Sequence, residues 1–291
     1  MDSSMVTVVC GPTGVGKTAY SLELASKVGA EVICMDAFQL YRELPILSAA
    51  PTQEERAKVV HHLFGILDPL DRFSLAQYYQ RAAESLKNLV QQGKPVIFVG
   101  GAGLYLRVLE RGLDCPESEA HPEFRAEKEE LAKRFGSEKL HQDLEKLDPV
   151  AANRLHPRDT RRIIRALEKV SFSSGPAQRL DLLSVLGLKW RKICFLPERE
   201  ALYQKLRERV DQMIEAGVED EVQRLLERGL TTEHTAYQAI GLKETASYLC
   251  GSIDKEEWIR LFKRNTCRFA KRQKTWFKSM GNTEYLYDFY R

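Results

Sequence analysis

Two short stretches carry residue types whose spacing implies chemistry. The first, GPTGVGKT from Gly11 to Thr18, fits G-x-x-x-x-G-K-[ST]. Gly11, Pro12, Thr13, Gly14, Val15 and Gly16 make a loop whose backbone N–H groups can curl around an anion. Lys17 then brings a point charge to a terminal phosphate, and the Thr18 hydroxyl can reach a magnesium ion. The second stretch, MDAFQLY, ends an apolar run on a single carboxylate, Asp36. Strand ends in an open parallel sheet face the ligand crevice, so Asp36 is expected beside the phosphate loop. There it can hold a metal, cap a helix or take a proton from a nucleophile. No strong helical pattern follows at once, and Gln39 and Tyr41 add polar groups at the same mouth, which favours the general base.

The elements that must hold these groups alternate. Apolar runs at 5–10, 31–35 and 95–99 read as short buried strands, with helical patterns from Lys17 to about Val28 and over 74–92. This order predicts an α/β fold, a parallel sheet wrapped by helices as in P-loop nucleotide-binding proteins. Residues 114–190 are rich in charge and helical in pattern, with a loop at 172–178. A strand returns at 191–197, and long helices are expected at 200–228 and 255–278. The reading is a core domain of 1–113 and 191–291, carrying an all-helical insertion at 114–190. The strand at 95–99 ends in Gly100-Gly101-Ala102-Gly103 and offers no acid to a water-activating ATPase.

Composition narrows the classes. The 291 residues carry a formal charge of only +3, so a nucleic-acid surface must come from clustering. No apolar stretch reaches the length of a membrane span and the N-terminus lacks a secretion signal, so a cytoplasmic, membrane-free protein is expected. Six scattered cysteines without a CxxC pair read as free thiols, three of them in strands. The adjacent His61 and His62 have no close partner for a metal, and no protein-held metal site is assigned. Clustering does occur at the C-terminus, where Arg260 to Lys278 holds eight Lys or Arg and no acid. At about 100° per residue, Arg260, Arg264, Arg268, Lys271, Lys274 and Lys278 gather on one face, opposite Trp258, Phe262, Phe269 and Trp276. One face would pack on the core while the other meets a phosphate backbone.

GPTGVGKT, MDAFQLY, HHLFGILDP, VGGAGLYL and FAKRQKTWF together resemble the tRNA dimethylallyltransferase (isopentenyltransferase) family, in its order and spacing from about residue 6 to residue 278. The resemblance is to the bacterial type, which carries no zinc finger. It implies that the loop grips the diphosphate of dimethylallyl diphosphate rather than ATP. The acceptor would be the exocyclic N6 amine of the adenosine 3′ to the anticodon. Asp36 would take its proton, and Lys17, Thr18, Mg²⁺ and Arg209 would absorb the charge of the departing diphosphate. By the same resemblance Arg125 and the cluster Arg158, Arg161, Arg162 and Arg165 meet the anticodon stem-loop. Asp36, Ala37, Phe38, Gln39, Ala102, Lys243, Arg268, Lys271, Arg272, Gln273 and Lys274 complete the RNA-facing set, with Phe38 as a stacking platform for an everted base. A monomer is expected.

Three positions depart from the family pattern. Asp-Ser becomes Asp36-Ala37. Gly-Thr-Ala-Lys-Pro becomes Leu47-Ser48-Ala49-Ala50-Pro51. The threonine of Gly-Gly-Thr becomes Ala102. These losses keep three alternatives in play: prenyl transfer to free adenine nucleotides, a non-catalytic tRNA-binding paralogue, and a P-loop small-molecule kinase.

Overall fold

A computed structural model describes residues 5–113, 121–172 and 181–289. The chain divides into two compact units, Met1–Gly112 with Leu180–Arg291, and Leu113–Arg179. The first unit opens with β1 (Met5–Cys10), α1 (Lys17–Val28), β2 (Glu31–Cys34), α2 (Pro45–Ser48), α3 (Gln53–Lys58), β3 (His61–His62), α4 (Leu75–Gln91), β4 (Val96–Gly100) and α5 (Gly103–Arg111). The second unit holds α6 (Pro122–Phe135), α7 (Ser137–Leu147), α8 (Pro149–Ala152) and α9 (Thr160–Phe172). The chain then returns to the first unit with α10 (Leu182–Val185), β5 (Lys189–Phe195), α11 (Arg199–Glu215) and α12 (Val218–Glu227). A 3₁₀ turn at Thr235–Gln238 leads to α13 (Leu242–Leu249), α14 (Lys255–Phe277) and β6 (Thr283–Leu286).

The sheet order is β3-β2-β4-β1-β5-β6, every pairing parallel. The central strands are buried along nearly their whole length, which is why they read as continuous apolar runs rather than alternating ones. With the phosphate-loop motif closing β1 and opening α1, this is the P-loop α/β fold expected from the sequence. The helices start where their chemistry allows. α4 begins with a capping box between Ser74 and Gln77. α14 begins on Asp254, whose carboxylate accepts the Glu257 N–H.

Several boundaries differ from the sequence reading. The helical unit ends at 179 rather than 190, because Leu182 and Leu183 of α10 are buried against α5 and β5 in the first unit. The helix expected over 200–228 is two helices, broken at Gly217 with φ +89°. Strands β3 and β6 go beyond the expected set. His62 on β3 contacts Glu31 of β2 at 2.6 Å, and the His61 Nδ1 lies 2.6 Å from the Val59 carbonyl, so both imidazoles have structural partners. Cys10, Cys34 and Cys194 are buried free thiols; Cys115 and most of the loop at 172–178 lie outside the described residues.

The helical unit has its own small core of Leu140, Leu144, Ala152, Ile163, Ile164 and Leu167. Beside it Glu168, 1% exposed, accepts a two-pronged bond from Arg125 at 2.9 and 3.0 Å, the His121 N–H at 3.0 Å, and a bond from Arg165. Burial alone would raise the Glu168 carboxyl, but these donors hold it below the ordinary carboxylate range.

Candidate active site

Three strand ends build the site. β4 lies between β1 and β2, so the phosphate loop and Asp36 stand two strand spacings apart, about 10 Å. What lies between them must be small. A Cβ on Gly100 would fall 1.9 Å from the Met35 carbonyl oxygen and 2.8 Å from the Asp36 nitrogen. A Cβ on Gly101 would fall 2.4 Å from Gln273 Nε2. The glycines therefore stand where a hydrolase would carry its later-strand acid, because at this point the backbones of β2 and β4 nearly touch. The acid that remains is the one on β2.

The phosphate loop closes onto α1 through Gly16 at φ +91°, a left-handed position that glycine adopts without strain. No side chain caps α1, so its first N–H groups stay open for an anion. Lys17 Nζ donates to the Pro12 carbonyl at 2.6 Å, folded back across its own loop. Loss of water pulls its ammonium down to about 8, with Asp36 opposing that shift and Arg209 adding to it. Arg209, on α11, is likewise lowered by burial, with Asp36 opposing. Two cations and one carboxylate thus share a poorly hydrated region, with positive charge in excess.

The Asp36 carboxylate accepts the Phe38 N–H at 3.0 Å, a two-residue turn rather than a helix cap. Asp36 and Arg209 line one cavity with Thr13, Phe38 and Ser48. Its remaining wall is apolar: Leu47, Val210, Met213, Ile240, Phe262 and Phe269. The Ser48 hydroxyl there is buried without a hydrogen-bond partner. A phosphate cradle, a carboxylate and an aliphatic pocket side by side can bind a molecule with a charged head and a short hydrocarbon tail. Sequence reasoning found Asp36, Arg209 and Phe38 but placed Phe262 and Phe269 on a plain core-facing side. The missed signal is that the α11 stripe and the α14 stripe both border a charged residue.

The structure distributes the other expected residues differently. Ala37 and Ala102 stand at the mouth, partly exposed, and Ala102 is the N-cap of α5 without a capping side chain. Gln39 spends its amide N–H groups on the Ser48 and Ala49 carbonyls and so holds the following loop. Gln273, expected at the RNA surface, is only 7% exposed. Its Oε1 accepts the Thr13 N–H at 3.0 Å, and its Nε2 donates to the Gly101 carbonyl at 2.9 Å. Lys274 donates to the Pro197 carbonyl. Trp276 packs at Gly103 with Arg107 over its ring, and Phe277 rather than Trp276 takes the fully buried position. Arg260 pairs with Glu257. Arg268, Lys271, Arg272 and Lys278 remain exposed along α14, and Lys243 is exposed on α13. Lys271, Lys274 and Lys278 line a groove with Arg199 and Tyr203 of α11. In the helical unit Arg161 and Arg162 are exposed, Arg162 beside Asp159, whereas Arg125 and Arg165 are anchored on Glu168.

Among the described residues, no three His, Cys, Asp or Glu side chains gather to hold a metal ion. None of the described helices is long and apolar enough to cross a membrane. Residues 39–280 match the model of the IPP transferase family. The tRNA dimethylallyltransferase of Carboxydothermus hydrogenoformans is 42% identical over 279 residues, 95% of this chain and 89% of that protein. The full-length tRNA isopentenylpyrophosphate transferase of Bacillus halodurans superposes with a TM-score of 0.71 at 37% identity, covering 98% of this chain and 90% of that one. A eukaryotic dimethylallyltransferase captured acting on tRNA gives a TM-score of 0.77 at 26% identity, over 97% of this chain and 73% of that one.

Proposed function

Because the chain belongs to the IPP transferase family, we propose that it moves a dimethylallyl group from dimethylallyl diphosphate to the N6 amine of the adenosine 3′ to the anticodon of a tRNA. The observation that carries this reading is the cavity in which Asp36 and Arg209 face an aliphatic wall next to the phosphate loop. A kinase or hydrolase has no use for that wall; a five-carbon tail does.

The diphosphate lies on the loop amides and the open N-terminus of α1, and the dimethylallyl tail against Val210, Met213, Phe262 and Phe269. An adenine amine is a weak nucleophile because its lone pair is delocalised into the ring. Asp36 accepts its proton as the new C–N bond forms and the C–O bond to diphosphate breaks. The leaving oxygen gains charge at that moment, and Lys17 and Arg209 meet it. Both cations are already stripped of water, so little reorganisation is needed when the charge arrives. Thr18, at the first turn of α1, is the protein ligand for a Mg²⁺ that arrives with the diphosphate. The ion would add further charge stabilisation to the leaving group. The anticodon stem-loop meets the exposed cations of α14, Arg268, Lys271, Arg272 and Lys278, and its affinity falls steeply with salt. Phe38, at the mouth of the cavity, stacks on the everted base.

The test is transfer of label from dimethylallyl diphosphate in the presence of Mg²⁺, with unmodified tRNA or AMP as acceptor. Label in tRNA is the expected result. Label in AMP alone would make the protein a nucleotide prenyltransferase, and tRNA binding without transfer would make it a non-catalytic paralogue.

A further inference from the structure

α14 does two jobs on opposite faces. Arg268, Lys271 and Arg272 point outward, while Gln273 points into the core. Its amide joins two pieces of the site that are remote in sequence. Oε1 takes the N–H of Thr13, inside the phosphate loop, and Nε2 gives to the carbonyl of Gly101, in the turn that separates the loop from Asp36. The fit is tight enough to exclude a side chain at residue 101, since a Cβ there would come within 2.4 Å of Nε2. One turn earlier, Thr266 and Phe269 of the same helix line the cavity beside Asp36.

The Thr13 N–H is thus turned onto a side chain rather than left for an anion, and this bond fixes the path of the loop before Gly14. We propose that Gln273 is a positioning residue for the diphosphate: it holds the phosphate loop in its binding shape from the RNA-facing helix and does not touch RNA itself. The inference rests on the reading of dimethylallyl diphosphate as donor. It also assigns the family-like FAKRQKTWF stretch two separable roles, with cations for the acceptor and the amide for the donor.

Gln273→Met keeps the volume and removes both bonds, leaving a buried N–H and a buried carbonyl unpaired. Binding of dimethylallyl diphosphate and of tRNA is measured separately by calorimetry, on wild type and variant, alongside the KM for the donor and kcat. The expected result is donor affinity weakened at least tenfold, a matching rise in KM, and tRNA affinity within twofold of wild type. Retained tRNA affinity shows that the variant is folded. Gly101→Ala, whose new methyl would displace the amide without altering residue 273, should give the same split. Equal donor binding by wild type and Gln273→Met overturns the inference alone. Loss of tRNA affinity with donor affinity intact would return Gln273 to the RNA surface. Absence of donor binding by wild type overturns both this inference and the proposed reaction.

Discussion

Two clusters of desolvated charge teach different lessons. In the helical unit Glu168 is buried and fully answered: two arginines and a backbone N–H close around it. In the core unit Lys17, Arg209 and Asp36 also share a poorly hydrated region, yet Lys17 finds only a loop carbonyl and positive charge is left over. A cluster that satisfies itself holds a fold together. One left with a surplus is a binding site, because an anion stabilises it by more than water did. By this criterion Arg125 and Arg165 do structural work, although resemblance assigns them to RNA, and Lys17 and Arg209 do chemistry.

The largest effect that would break this contrast is at Asp36. Asp36→Asn should lower transfer by about 10²–10⁴-fold, the usual contribution of a positioned base. It should leave tRNA affinity within a few-fold, read by single-turnover rates and filter binding. Near-wild-type turnover would remove Asp36 from the mechanism. Next comes Glu168→Gln. A fully buried ion pair broken on one side costs about 3–5 kcal/mol, and the partial exposure of Arg125 and Arg165 brings this to about 2–3. The expected outcome is a lower melting temperature for the helical unit with chemistry per bound tRNA unchanged. The Glu168 carboxyl is held low in the folded state, so its contribution to stability is present at neutral pH and is lost as pH falls through that lowered value. A triple replacement, Arg125→Met with Glu168→Leu and Arg165→Met, sharpens the comparison. If it folds and still binds tRNA, the arginines are structural; if it folds and loses tRNA, the resemblance was right.

A smaller effect comes from pH. The free Lys17 ammonium sits at about 8, and a bound diphosphate must raise it. The added affinity is therefore complete below 8 and lost as pH climbs through it, by about tenfold between pH 7 and 9. Calorimetric titration should also show proton uptake on binding near pH 8. The smallest effect belongs to Ala102→Thr. Ala102 caps α5 without a side-chain bond, so a hydroxyl should add about 0.5–1 kcal/mol to stability. A rise in kcat/KM for tRNA would show that the missing hydroxyl also served the acceptor.

Much of this was legible in the residues because it is local. The strands β1, β2, β4 and β5 announce themselves as apolar runs, and the phosphate loop as a spaced set of glycines ending in Lys17-Thr18. Asp36 was legible because a strand end fixes where a side chain goes. β3 was not, since two histidines carry no strand signal and pair only because β2 offers an edge. Gln273 was misread for a different reason. Its partners lie 260 and 172 residues away, and the 100° wheel that sorted its neighbours gives no hint that an amide among cations turns inward. The apolar wall of the cavity was hidden likewise, because Phe262 and Phe269 look like any helix face seeking a core.

The most direct test is a crystal structure with a non-transferable thio analogue of dimethylallyl diphosphate. The account predicts diphosphate oxygens on the loop amides, within reach of Lys17 and Arg209, and the hydrocarbon tail against Met213 and Phe269 with its reacting carbon facing Asp36. A diphosphate held elsewhere, or a tail pointing away from Asp36 with an adenine ring in the aliphatic cavity, would contradict it.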